Sequence, residues 1–238
     1  MAIIPVMAKV FSKILYLRMK SLIEEGLPEE QFGFRPGRGC SDAVFILRMV
    51  AQKSEEWGQG LWLAALDVEK AFDRINHAKL FEALMLEGAH FNLVTTLRNL
   101  YTNMTAYVRL GPDACSRQFI IQRGVRQGEP LSPALFLVAM KHVLADTSIS
   151  WRTKGYGTDV GAQANGHRLS HVAFADDVTL IASSWASLRE MLIDVKCGLA
   201  RKRNYHGEGP SSTGLLRLVF NRPSVSGAVL QTPPSLET

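Results

Sequence analysis

The stretch His171–Ala182, HVAFADDVTLIA, narrows the possible folds more than any other in the chain. Val172, Phe174, Val178, Leu180 and Ile181 are β-branched, aromatic and aliphatic residues flanking Asp176 and Asp177, a pattern that predicts a β-hairpin with the two aspartates at its tip. The tip holds no Asn-Gly or Asp-Gly pair, so turn propensity did not choose its residues. Two carboxylates about 4 Å apart repel by roughly 4 kcal/mol at an effective dielectric near 20, so a fixed Asp-Asp pair calls for a cation or a shared proton. A solvated acidic turn could carry the same dipeptide, and the rest of the chain has to decide between the two.

The deciding stretch is Leu61–His77, LWLAALDVEKAFDRINH. An apolar run with strand character ends at Asp67, after which the spacing turns helical. Asp67 therefore closes a buried strand, where its side chain can reach a hairpin tip on the neighbouring strand. Asp67, Asp176 and Asp177 together would supply the oxygen donors that a pair of Mg²⁺ ions requires.

Composition adds bounds. At 238 residues and 47% hydrophobic the chain can bury a core as one or two domains. A net charge of +5 and a pI near 9.2 point toward a polyanionic partner, most sharply between positions 98 and 126, where Arg98, Arg109, Arg117, Arg123 and Arg126 face the single acid Asp113. Cys40, Cys115 and Cys197 are odd in number and widely spaced, which favours neither a disulfide framework nor a zinc site and implies a reducing compartment, cytoplasm or nucleus rather than secretion. The longest apolar run, near Ala134 to Met140, is too short to span a bilayer. Residues 1 to 20 are free of acids and carry Lys9, Lys13, Arg18 and Lys20, as transit peptides do, but a core helix there is the stronger reading.

In order, Val6, Val10, Phe11, Ile14, Leu17 and Leu22 predict an amphipathic helix with a core face, closed by Gly26 and Pro28. QFGFRPGRGCSDA follows as an irregular glycine-rich loop that leaves Arg35 and Arg38 projecting, toward a partner or neighbouring loops or simply solvated, with Ser41 capping a helix that buries Val44, Ile46, Leu47 and Val50. Asn76 caps a helix ending at Gly88, a second helix runs from about Asn92 to Tyr101, and Ala106 to Leu110 pairs with Arg117 to Gln122 around Gly111 and Pro112. RQGEPLSP offers Gln127 as a hydrogen-bonding group, Gly128 for close backbone approach to a substrate, and Ser132-Pro133 as a helix start. Trp151 to Ser170 reads as a loop or short hairpin, and Ser187 to Glu190 as a capping box.

Four of these segments, in this order, resemble the motifs of the reverse transcriptases of non-LTR, LINE-like retrotransposons, with group II intron reverse transcriptases as near relatives. QFGFRPGRGCSDA is similar to the fingers motif, LDVEKAFDRINH to the first palm aspartate motif, RQGEPLSPALF to the glycine-proline palm motif, and FADD to the aromatic-x-Asp-Asp box. The resemblance implies an α/β (α+β) right-hand polymerase palm, a small antiparallel sheet with packed helices, over 61–199. Residues 1–60 would be partial fingers and 200–238 a divergent, disordered tail, with no thumb expected within the chain. It implies RNA-directed DNA polymerase activity with two Mg²⁺ ions, or Mn²⁺, held by Asp67, Asp176, Asp177 and the Val68 carbonyl. Phe72 would be the sugar gate, and Gln127, Gly128 and Ala175 would line the nucleotide. Arg35, Arg38, Arg109, Arg117, Arg123 and Arg126 would meet nucleic acid, with RNA template, DNA primer and dNTPs as partners, no membrane, and further domains of a longer polyprotein. Asp73 is expected to brace its local turn. The triphosphate grip, a downstream lysine motif and the thumb of the family are not matched, so weak polymerisation is expected of the chain alone. A binding-only remnant and an RNA-dependent RNA polymerase palm remain as alternatives.

Overall fold

One end of a four-stranded antiparallel sheet brings Asp67 together with the Asp176-Asp177 pair, and the order of elements explains how. The computed structural model describes residues 3–68, 70–111, 114–161, 168–203 and 216–221, with 200–203 and 216–221 as backbone alone. In chain order, α1 (Val6–Gly26) and α2 (Cys40–Glu56) precede β1 (Trp62–Val68), a 3-10 turn at Ala71–Arg74, α3 (His77–Leu86) and α4 (Phe91–Tyr101). A short ribbon, β2 (Thr105–Ala106) with β3 (Phe119–Ile120), leads to the long α5 (Ser132–Thr153) and a second small pair, β4 (Thr158–Asp159) with β5 (Arg168–Leu169). The hairpin β6 (His171–Phe174) and β7 (Asp177–Ala182) follows, then α6 (Trp185–Arg203) and β8 (Leu216–Asn221). The sheet order is β6-β7-β1-β8.

Period-two alternation divides the sheet into two faces. Ala64, Leu66 and Val68 of β1 and Val178, Leu180 and Ala182 of β7 all point into the main core, where α3, α5 and α6 supply Leu80, Leu84, Leu135, Phe136, Leu188 and Met191. On the opposite face Leu63, Val172, Phe174 and Ile181 pack with Phe32 and with Ala43, Ile46, Leu47 and Val50 from α2. That second cluster covers only part of its face, and the end of β1 beyond Ala65 is open.

Local signals behave as their chemistry requires at several ends. The Asn76 side chain accepts from Lys79 N at 3.1 Å, Pro133 stands in the first turn of α5, and Gly88 (φ 87°) follows the end of α3. Other expectations are corrected. The buried face of α1 is Ser12, Leu15, Met19 and Ile23, whereas Val6, Val10, Phe11, Ile14 and Leu17 are exposed. Apolar residues surround most of this helix, and α5 takes the stripe spaced by four. In α2 the buried positions are Ala43, Val50 and Ser54, with Val44 exposed, and the first turn is tied by Gly39 N donating to the Asp42 carboxylate rather than by Ser41. Ser184, not Ser187, caps α6, accepting from Ser187 N, while Glu190 instead accepts from Tyr156 and Lys154.

The largest correction lies in the stretch expected to be a disordered tail. Leu216–Asn221 forms β8 and pairs with β1 from Leu63↔Asn221 to Val68↔Leu216. Its sequence, LRLVFN, is mostly apolar with the β-branched Val219 and aromatic Phe220, and β1 would otherwise present an unpaired edge. The rest of that expectation, at 204–215 and 222–238, lies outside the described residues, as does the Pro112-Asp113 tip of the β2–β3 region. Among the described residues no helix is long and apolar enough to cross a membrane.

Candidate active site

Strand register assembles the acidic group. Leu66 pairs with Val178, so one step along the same ladder sets Asp67 across from Asp177, while Phe174 pairs with Asp177 to close the β6–β7 hairpin. Residues directly across an antiparallel ladder share a face, so Asp67 and Asp177 both stand on the open side when Leu66, Val68 and Val178 go to the core. Asp176 occupies the turn itself and is half-buried. The Asp177 carboxyl is held above its ordinary value of 3.8, first by burial and then by the charges of Asp176 and Asp67. The three acids therefore share one electrostatic field. Among the described residues no group of three or more His, Cys, Asp or Glu side chains is gathered closely enough to hold a metal ion, so the three acids share a field without converging on one point.

The turn that presents the pair is unusual for its sequence. Ala175 has φ 59°, the left-handed region that a residue with a Cβ seldom adopts. The fingers loop meets it: Gln31 Oε1 accepts from Ala175 N at 2.9 Å and from Gly33 N at 2.8 Å. The expected nucleotide contact at Ala175 is corrected by this arrangement, because the residue is 4% exposed and its peptide is engaged by protein. Gln31 opens the QFGFRPGRGCSDA segment two residues before Gly33, and no local sequence signal marks it for this contact.

Phe72, Gln127 and Gly128 do come together, along an open cleft of about 490 Å³ that Glu129, Pro130 and Pro133 complete. The Phe72 ring stacks on Phe136 at 4.2 Å and 10°, with Phe34 edge-on at 6.1 Å. One face of Phe72 packs on the core, and the half-buried ring also borders the cleft. The Asp73 carboxylate, expected to brace its local turn, instead accepts from the distant Gln127 Nε2 at 3.0 Å, and Val125 N donates to Phe72 O at 2.9 Å.

The arginines separate into two groups. Arg126 donates to Glu129, to the Leu100 carbonyl and to Met104 Sδ, and Glu129 is fully buried. Arg35 donates to the carbonyls of Pro28 and Gln31, and Arg38 pairs with Glu29 and its carbonyl. These three are structural forks rather than the projecting nucleic-acid contacts expected, because each guanidinium is turned onto main-chain oxygen or a carboxylate. Arg109 and Arg117 are exposed and Arg123 is half-buried, the last lining a groove with Asp73, Thr105 and Phe119.

A small antiparallel sheet carrying acids at its open end, with helices behind it and a ring-bordered cleft beside it, has the architecture of a polymerase palm fold. The fold agrees with solved telomerases: that of Candida tropicalis bound to a fragment of telomeric RNA superposes with a TM-score of 0.59 over 95% of this chain and 35% of that one, at 14% identity. The Candida albicans telomerase gives 0.57 over 89% and 35%. The chain belongs to the family described as reverse transcriptase (RNA-dependent DNA polymerase), whose model matches residues 1–204. It is 32% identical over 187 residues to the Pol polyprotein of the Drosophila melanogaster type-2 retrotransposable element R2DM, and 30% identical over 180 residues to the 149 kDa protein of Xenopus laevis transposon TX1. Those matches cover 79% and 76% of this chain but only 17% and 13% of the relatives.

Two outcomes follow from the electrostatics. A raised carboxyl pKa means that the fold favours the protonated acid, so the contribution of Asp177 to stability is present below pH 3.8 and lost as pH rises through its elevated value. Asp177→Asn should therefore raise Tm at pH 7 relative to the parent, the two curves converging below pH 3.8; parallel curves across the range would contradict the crowding. Arg126→Ala should lower unfolding free energy by on the order of 3 kcal/mol in urea titrations, because it strands a buried carboxylate.

Proposed function

We propose that this chain is the polymerising palm of a reverse transcriptase, adding deoxynucleotides to a DNA primer 3′-hydroxyl along an RNA template. The register of Asp67 with Asp177, beside Asp176, is the observation that carries the reading. The donor chemistry suits a hard divalent cation: carboxylates gather at the open end of the sheet, and the charge of Asp177 is disfavoured first by burial and then by Asp176 and Asp67. Mg²⁺, or Mn²⁺, would be held by Asp67, Asp176 and Asp177 with the Val68 carbonyl as a further donor. When bound as a pair, such ions activate the attacking hydroxyl and neutralise charge on the phosphates.

The protein's own groups position the reactants. Gly128, at φ 89° on the rim of the cleft, lets main chain approach a nucleotide where a side chain would intrude. Gln127, steadied by Asp73, presents a polar edge at the same rim. Phe72 would act as the sugar gate, its ring held by Phe136 beneath and Phe34 at the edge so that it cannot swing away from a ribose 2′-hydroxyl. Exposed Arg109 and Arg117 and the groove at Arg123 would carry the template or primer backbone. Three free cysteines accord with the reducing setting, cytoplasm or nucleus, that we assign.

Phosphoryl transfer rests on positioning and electrostatics, and the relatives are several times longer than this chain, so full activity belongs to the longer polypeptide. Primer extension on an RNA template, by the chain alone and joined to flanking coding sequence, should fall on the order of a hundredfold or more with Asp176→Asn. Unchanged extension would reject the assignment, and no extension from either polypeptide would favour a binding-only remnant. Phe72→Val should raise the ratio of ribonucleotide to deoxynucleotide incorporation on the order of tenfold, as relief of a steric clash allows. A constant ratio would remove the case for a gate.

A further inference from the structure

The hairpin that presents Asp176 and Asp177 does not specify its own turn. Phe174 pairs with Asp177, leaving Ala175 and Asp176 as the two turn residues, and the first of them is in the left-handed region without being glycine, asparagine or aspartate. Such a conformation persists only where surroundings impose it. Here the surroundings are the fingers loop. Phe32 N donates to Ala173 O and Ala173 N donates to Glu30 O, both at 2.8 Å, so the loop runs beside β6. Within it Gln31, 5% exposed, accepts from Ala175 N through Oε1 and sets Nε2 at 3.4 Å from Ala175 O. Gly33 lies so close that a Cβ there would come within 2.2 Å of Ala175 N.

We propose that Gln31 is a positioning residue for the aspartate pair, its side-chain amide gripping the Ala175 peptide and thereby setting the orientation of Asp176 and Asp177. This rests on the polymerase reading of those aspartates. The amide chemistry suits the place. A lysine or arginine would neutralise the acids that the cation needs, and a carboxylate would add a fourth negative charge, whereas an amide supplies acceptor and donor without charge. Gln31 touches no reacting atom and acts only through the turn.

The test uses two readouts on the whole chain, amide hydrogen exchange at Ala175 by NMR and Mn²⁺ affinity by electron paramagnetic resonance, with Asp67→Asn as the control for the site. Gln31→Met keeps the length of the side chain and removes the acceptor. It should speed exchange at Ala175 about tenfold while α5 amides are unchanged, and should weaken Mn²⁺ binding about tenfold, the loss of roughly one buried hydrogen bond. Gln31→Glu keeps the acceptor and should restore slow exchange at Ala175. If Gln31→Met does not fold, Gln31→Asn, whose amide falls one methylene short, takes its place with the same expectations. Unchanged Ala175 exchange would overturn the grip, and faster exchange with unchanged Mn²⁺ affinity would overturn the positioning role. Equal Mn²⁺ binding by the parent and Asp67→Asn would strike down the metal reading itself, and the exchange data would then decide the grip alone.

Discussion

The pairing of β1 with β7 is the constraint on which the site depends. Side chains alternate with a period of two, so the register that sends Ala64, Leu66, Val178 and Leu180 into the main core also sends Asp67 and Asp177 to the other face. A slip of one residue would bury a carboxylate among Leu135, Phe136 and Leu188 and expose Leu66. Neither change is tolerable, since an unpaired charge in such a core costs far more than the ladder gains. The hydrophobic core thus fixes the acidic ledge without touching it.

The same sheet face does two jobs at its two ends. Leu63, Val172, Phe174 and Ile181 are covered by α2 and Phe32, and this contact anchors the fingers segment. From Ala65 to Asp67 the face opens, with no α2 residue of that cluster above it. The loop between α1 and α2 crosses from the covered end to the hairpin turn, where Gln31 and Gly33 meet Ala175. Fingers and palm are therefore joined at the point where the geometry of the acids is decided.

Much of this was legible in the residues, for identifiable reasons. Asp67 ends a strand run and Asp176-Asp177 interrupts another, and such placements follow from local pattern. Phe72 follows Asp67 by a short turn, so its neighbourhood was fixed once Asp67 was. The stripe of α1 was not legible, because apolar residues surround most of that helix and only the presence of α5 selects Leu15, Met19 and Ile23. β8 was hidden because the Ser, Pro and Gly around LRLVFN outweighed this short apolar run, and its partner β1 lies far away in the chain.

The arginines show a different limit. Guanidinium groups carry five donors in a planar fork, and a loop rich in glycine has carbonyls to offer, so the same residue type serves as internal strut or as phosphate contact. Arg126 is the clearest case: three bases surround Asp113 in sequence between Arg109 and Arg123, yet Arg126 points at Glu129, Leu100 and Met104. Charge counting along a chain cannot separate these roles, because it ignores main-chain acceptors. Once Arg35, Arg38 and Arg126 are set aside as struts, the basic surface left for a polyanion contracts to the neighbourhood of the β2–β3 ribbon, with Arg109, Arg117 and Arg123. That groove shares Gln127 with the Phe72 cleft, and Asp73 in the groove accepts from it, so a backbone lying there would run alongside the site rather than across the back of the palm.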